Sequence, residues 1–201
     1  AQAFLYASAN KENLFENAPT HKYVLIATHG YVQDGNAGLS GIYLAKCQET
    51  DVRSEEAGNE ELEDTGDTCR RFRKTSLQTS ENTNYLLHTS EAYHLQLNAD
   101  LVVLSSCSSG IGKLVTGEGM MAINRGFLYA GASNIIFTQF DIRDASSGEL
   151  VKGLFEQILE SLSRNLGREG YASALRKAKL EVIQQSLKTP EDWAGYALIG
   201  G

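Results

Sequence analysis

Cysteine is scarce in this chain of 201 residues, and the three present, Cys47, Cys69 and Cys107, are an odd number. None belongs to a CxxC pair or has a histidine at CxxH spacing. That argues against a disulfide framework and against a zinc site, and it fits a reducing compartment, so the expected location is cytoplasmic. Long apolar runs are lacking as well. No stretch approaches the roughly 18 residues that a membrane span needs, and no charged-then-apolar leader opens the chain. No membrane partner is expected. A basic excess is also missing, since 18 Lys and Arg stand against 25 Asp and Glu for a net charge of −7. Direct binding to nucleic acid is therefore not expected.

What is present is the composition of a soluble globular domain, with 42% apolar and 21% charged residues, 19 glycines and 2 prolines. The acidity is local. Between Glu49 and Asp67 lie nine acids and one base, Arg53, a net −8 that leaves +1 for all the rest. From Cys47 to about Asn84 apolar residues almost vanish, so 47–84 is expected to be a solvated, mobile insertion rather than part of a core. A short basic block, "RRFRK" at 70–74, follows the acids.

Outside the insertion the pattern alternates between strand and helix. "YVLIAT" (23–28) and "ADLVVLSS" (99–106) are short apolar runs that read as strands buried on both faces. "GIYLAK" (41–46), "SNIIFTQF" (133–140) and the segment after Pro190 supply further strands. Thr89 or Ser90 is a candidate helix N-cap, and "GEGMMAINRGFLYAGA" reads as a helix ending at Gly131. Leu150, Val151, Leu154, Phe155, Ile158, Leu159 and Leu162 mark one helical stripe, and Tyr171, Leu175, Ala178 and Val182 another. The whole implies an α/β domain with a largely parallel sheet.

Several familiar signatures fail. "CSSGIGKL" would need glycine at Cys107 and Ser or Thr at Leu114 to be a phosphate-binding loop. "GEGMMA" fits G-x-G-x-x-A, but some ten residues separate it from the end of the preceding strand, where a dinucleotide fingerprint requires contact. "SSCSSG" lacks the flanking glycines of a nucleophile elbow.

Cys107 and His29 are the informative pair. A free cysteine is commonly only a small buried hydrophobe, and a histidine before glycine commonly just closes a strand. Here each follows the apolar part of its own core strand, and strands of a parallel sheet present their carboxyl ends on one edge, where ligands bind. A thiol with a pKa near 8.5 needs help to attack a carbonyl at neutral pH, and an imidazole supplies it. The amides of Gly30 and Cys107 are placed to hold the oxyanion. The other histidines, 21, 88 and 94, read as solvated.

These segments resemble a known family. "VLIATHGY", "LSGIYLA", "LNADLVVLSSCSSGIGKLVTGEGMMAINRGFLYAGASNIIF" and "TPEDWAGYALIGG" are similar to the CHAT domain, a caspase-like domain usually found after tetratricopeptide repeats and distantly related to separase and caspases. The resemblance runs from about residue 9 to the C-terminus, apart from 47–84. It implies a three-layer caspase-like sandwich, one domain over 1–201, and a thiol protease: a hydrolase with a His29–Cys107 dyad and an oxyanion site at the Gly30 and Cys107 amides. No cofactor and no metal are implied. The implied partners are a protein substrate and a regulatory protein or upstream tetratricopeptide-repeat region.

Two departures from the family pattern are visible. The family commonly carries more sequence upstream, which leaves open a missing N-terminal start. "FTQFDIRD" replaces a Ser-Leu-Trp-x-Val-x-Asp type of stretch, with Phe140 at the aromatic position and Asp144 at the final aspartate. Related peptidases build their S1 pocket near this region, so Asp141 or Asp144 is a candidate for selecting a basic P1 residue; helix capping is the other reading of Asp144. The insertion is a candidate activation loop, self-cleavage site or regulator surface, in keeping with regulated proteolysis, or a solvated loop without function. The alternative for the whole chain is a catalytically silent interaction or scaffold domain.

Overall fold

The structure, a computed structural model, describes residues 2–31, 33, 37–46, 85–107, 118–140, 142–163, 167–185 and 189–200, with backbone alone at 37, 106, 107, 118–122, 144, 161–163 and 167–169. The insertion at 47–84, with Cys47 and Cys69, lies outside these residues. So does 108–117, which takes in all but Cys107 of "CSSGIGKL" and the first glycine of "GEGMMA".

Among the described residues there are six strands: β1 (Tyr23–Tyr31), β2 (Gly41–Tyr43), β3 (Leu86–His88), β4 (Leu101–Cys107), β5 (Asn134–Thr138) and β6 (Tyr196–Gly200). They form one sheet in the order β3-β2-β1-β4-β5-β6. The expected parallel pairing holds for the central strands, β1 with β4 and β4 with β5. Both flanks are antiparallel, β1-β2-β3 on one side and β5-β6 on the other. The sheet is therefore mixed, and β6 returns antiparallel to β5 after a pair of helices, Asp144–Ser163 and Gly167–Ile183.

Among the described residues five α-helices flank the sheet: α1 (Lys11–Asn17), α2 (Thr89–Ala92), α3 (Glu118–Tyr129), α4 (Asp144–Ser163) and α5 (Gly167–Ile183). The two sheet faces bury separate cores. Val102 and Leu104 point into one with Ile123 and Phe127 of α3, while Leu101 and Val103 point into the other with Leu150 and Leu154 of α4 and Leu175 of α5. All four β4 residues are no more than 1% exposed, as a central strand with both faces covered requires. This is the α/β sandwich expected from the alternation of elements.

Local chemistry sets the ends of these elements. Asn10 caps α1, its side-chain oxygen accepting from the Asn13 amide at 3.0 Å. Buried Lys11 pairs with Glu91 at 2.7 Å, which ties α1 to α2. Gly131 follows α3 at φ +114°, and a Cβ there would overlap the Leu97 carbonyl, so the expected glycine stop is required twice over. The N-cap expected at Thr89 or Ser90 falls one or two residues earlier, at His88. Thr89 is instead the first helical residue, and its hydroxyl donates to the Ser40 carbonyl at 2.9 Å. His88 is half-buried with Nδ1 2.9 Å from the Leu39 carbonyl oxygen, so it is structural rather than simply solvated.

Candidate active site

The sheet brings the two singled-out positions side by side. β1 pairs with β4 residue for residue from Tyr23↔Leu101 to His29↔Cys107, so the pair occupies the last shared row. Adjacent strands lie about 4.8 Å apart, which puts the two backbones within reach of a side-chain hydrogen bond. His29 is exposed, while for Cys107 the backbone alone is described. β1 does not end at His29, as the His-Gly pair had suggested. It changes partner there, and Gly30↔Ile42 and Tyr31↔Gly41 continue the strand against β2. The ring of Tyr31 meets Tyr43 edge-on, and Tyr43 stacks on Tyr85, which makes an aromatic wall on the β2 side.

The other expected site residues are placed less fully. Gly30 stands directly after His29, in the β2 ladder. Asp144 is the first residue of α4, one position past the N-cap, and Asp141 lies outside the described residues. Phe140 follows β5 and is 41% exposed.

Two rows below His29 and Cys107, at Ala27↔Ser105, begins a group of three hydroxyls. Ser105 Oγ is 2.8 Å from Ser147 Oγ and 2.7 Å from the Tyr196 hydroxyl, and Ser147 and Tyr196 are 2.7 Å apart. The triangle joins β4, the first turn of α4 and the start of β6. Tyr196 is held from the far side too, because Lys179 of α5 donates to its carbonyl at 2.7 Å. Burial lowers the pKa of that ammonium.

The residue next to Ser147 opens a second network. Ser146 donates to Asp192 Oδ1 at 2.6 Å, and the Thr189 amide and hydroxyl donate to Oδ2 at 2.7 and 3.1 Å. Arg143 stands 3.7 Å away. The Ser146 bond first, then the Thr189 amide, against the opposing effect of burial, hold the Asp192 carboxyl down to about 2 from an ordinary 3.8. A lowered folded-state pKa means that the carboxylate stabilises the fold in full above about pH 4. That contribution is lost as pH falls from there through about 2. Thermal melts from pH 6 to pH 2 are expected to show wild type losing its advantage over Asp192→Asn across that window. A constant offset between the two proteins would contradict the assignment.

The CHAT domain family model matches residues 1–201. The chain belongs to the CHAT domain family. Tetratricopeptide repeat protein 28 of Mus musculus is 33% identical over 117 residues, which is 57% of this chain and 4% of that protein. Its Homo sapiens counterpart is 32% identical over the same length and shares. This CHAT domain thus spans a small part of the relatives it matches. Among the described residues no helix is long and apolar enough to cross a membrane.

The sequence reading had Ser105 only as a small neighbour of Cys107, and it missed Ser147, Tyr196 and Asp192. A signal existed for two of the four. Ser105 breaks the apolar alternation of Leu101 and Val103 on one face, and "TPED" is a T-x-x-D capping pattern. Nothing local marks Ser147 or Tyr196, which meet across 49 residues.

Proposed function

We propose that this CHAT domain is a cysteine endopeptidase in which His29 and Cys107 form the catalytic pair. The observation that carries the reading is their shared row on neighbouring parallel strands. His29 takes the thiol proton of Cys107, and the thiolate attacks the scissile carbonyl. The Gly30 and Cys107 amides steady the oxyanion. As the C–N bond breaks, the imidazolium returns the proton to the leaving amine and leaves a thioester. Water, deprotonated by His29, then hydrolyses that thioester and frees the thiol.

The domain is read as a single unit over 1–201, interrupted at 47–84 by an acidic segment that serves as a control element, and as cytoplasmic. The relatives' name supports an attached tetratricopeptide-repeat region, to which this reading gives a regulatory role, with a protein as substrate. Asp141 and Asp144 remain candidates for substrate selection on the strength of the family resemblance alone.

Site-resolved alkylation against pH tests the pair. Cys107 is expected to react faster than Cys47 and Cys69 at neutral pH, with its inflection below about 8.5, and to lose that advantage in His29→Ala. If Cys107 reacts at the rate of the other two and ignores His29, the peptidase reading fails and a silent interaction domain takes its place.

A further inference from the structure

The odd-numbered residues of β1 share one sheet face, since successive side chains of a strand alternate. Tyr23 sets that face on the α4–α5 side, where its hydroxyl lies 3.4 Å from that of Tyr171, and Leu25, Ala27, His29 and Tyr31 follow it along the strand. The helices reach Tyr23 but leave Leu25, Ala27 and His29 exposed. His29 therefore stands on an open stretch of sheet with a different neighbour on each side. β4 brings Cys107 to its row, and β2 runs along the other edge of β1. Thr28 fixes this second neighbour, its hydroxyl donating to the Tyr43 carbonyl.

The β2 side of His29 is aromatic. The cross-strand partner of Tyr31 is Gly41, where a Cβ would overlap the Leu87 carbonyl, so that position carries no side chain. Tyr31 meets instead its diagonal neighbour Tyr43, edge-on with ring centroids 5.9 Å apart. Tyr43 stacks on Tyr85, again at 5.9 Å and with the two planes 12° apart. Both ends of the row are held. The Tyr31 hydroxyl donates to Gln33 Oε1, and Lys46 Nζ stands 5.2 Å from the Tyr85 centroid. The three rings are partly exposed and Lys46 is exposed. Fixed rings that keep part of their surface in water gain by taking another aromatic group against them. The cation that such rings attract is already present as Lys46, whose charge opposes a second one.

In the cleavage described above the acyl half of the substrate becomes bonded to Cys107, while His29 returns its proton to the leaving amine. The leaving half thus begins at His29 and runs away from Cys107, toward β2. Adjacent strands lie about 4.8 Å apart and an extended chain advances about 3.3 Å per residue, so its second residue reaches Tyr31 and Tyr43 and its third reaches Tyr85. Building on the peptidase reading, we propose that Tyr31, Tyr43 and Tyr85 form the subsite for this leaving segment. It takes an aromatic side chain at the second residue after the scissile bond, and Lys46 turns away lysine and arginine at the third. These contacts involve parts of the substrate that do not react. They are made alike in the ground state and the transition state, so they act on KM.

A peptide library tests this without any assumption about the acyl side. Peptides cut from a proteome by a glutamate-specific peptidase are incubated with the full chain, and mass spectrometry aligns the new termini, with Cys107→Ala as the blank. Wild type is expected to enrich Phe, Tyr and Trp at least about threefold at the second residue after the cut and to deplete Lys and Arg at the third. Tyr43→Ser should flatten the aromatic enrichment while the residues before the cut stay as they were. On one peptide from the set it should raise KM with kcat kept. Lys46→Glu changes an exposed side chain and leaves the rings in place, so it keeps the test open if Tyr43→Ser does not fold. It should turn the depletion of Lys and Arg into enrichment. Cleavage with no preference after the cut, or a preference unchanged in the variant aimed at it, would overturn the subsite and leave the peptidase reading standing. Absence of any cleavage that depends on Cys107 would overturn both.

Discussion

Cys107→Ala is expected to abolish peptide cleavage, and His29→Ala to lower kcat/KM by about 10³–10⁴-fold, with the double variant no worse than Cys107→Ala alone. The size follows from role. The thiolate is the atom that bonds to the substrate, so nothing replaces it, whereas loss of the imidazole leaves a thiol that is a few per cent ionised at neutral pH and still nucleophilic. The lack of additivity follows from the two acting as one unit, since a base without its nucleophile has nothing to activate. Both positions stand at the end of the β1–β4 ladder, beyond the buried rows, so neither variant is expected to lower the melting temperature appreciably. Turnover of a fluorogenic peptide by the full chain, with melts in parallel, is the measurement. A His29→Ala protein that keeps more than about a tenth of wild-type kcat/KM would remove His29 from the mechanism.

The row shared by His29 and Cys107 was legible chiefly from β4, whose residues Leu101 to Leu104 are buried on both faces. Such strands write near-continuous apolar runs into the sequence, and the first polar residue after each run marks the exposed sheet edge. Leu101 to Leu104 is a run of this kind; Tyr23 to Thr28 reads alike in sequence, but Leu25 and Ala27 of β1 are exposed, so that strand is not covered on both faces as expected. Gly131 announced the end of α3 by equally local logic. The antiparallel flanks were less legible, because a three-residue strand such as β2 or β3 carries too little periodicity to declare its direction. The hydroxyl ring was hidden for a different reason. Ser105, Ser147 and Tyr196 come from β4, α4 and β6, and only the packing of α4 over the sheet makes them neighbours. Polar residues that meet across the fold leave no spacing to read. The Asp192 network is intermediate in this respect, since its capping half is local and its bond to Ser146 spans 46 residues.

The stripe on α4 yields the other large effect, because the sequence pattern and the packing disagree within it. Leu150, Leu154 and Ile158 are at most 1% exposed, while Leu159, assigned to the same stripe by its spacing, is 66% exposed. Nine residues at 3.6 per turn are about two and a half turns, so Leu159 faces away from Leu150. A paired series such as 150/151, 154/155, 158/159 contains two columns and drifts around the helix as it lengthens. Only the column that meets Leu101, Val103 and α5 is core, with Val151 and Phe155 at its margin. Leu154→Ala is therefore expected to cost about 2–5 kcal/mol through lost burial and the cavity left behind. For a chain of this size each kcal/mol is worth about 2–4 °C, so a mid-range loss of about 3 kcal/mol lowers the melting temperature by roughly 6–12 °C. Leu159→Ala is expected to stay within about 0.5 kcal/mol of wild type. Equal losses from the two substitutions would mean that something covers the outer face of α4 in solution. A small loss from Leu154→Ala alone would mean that the second core, which braces Ser147 and Tyr196 beneath the Cys107 row, is looser than the fully buried positions of Leu101, Val103 and Ile136 require.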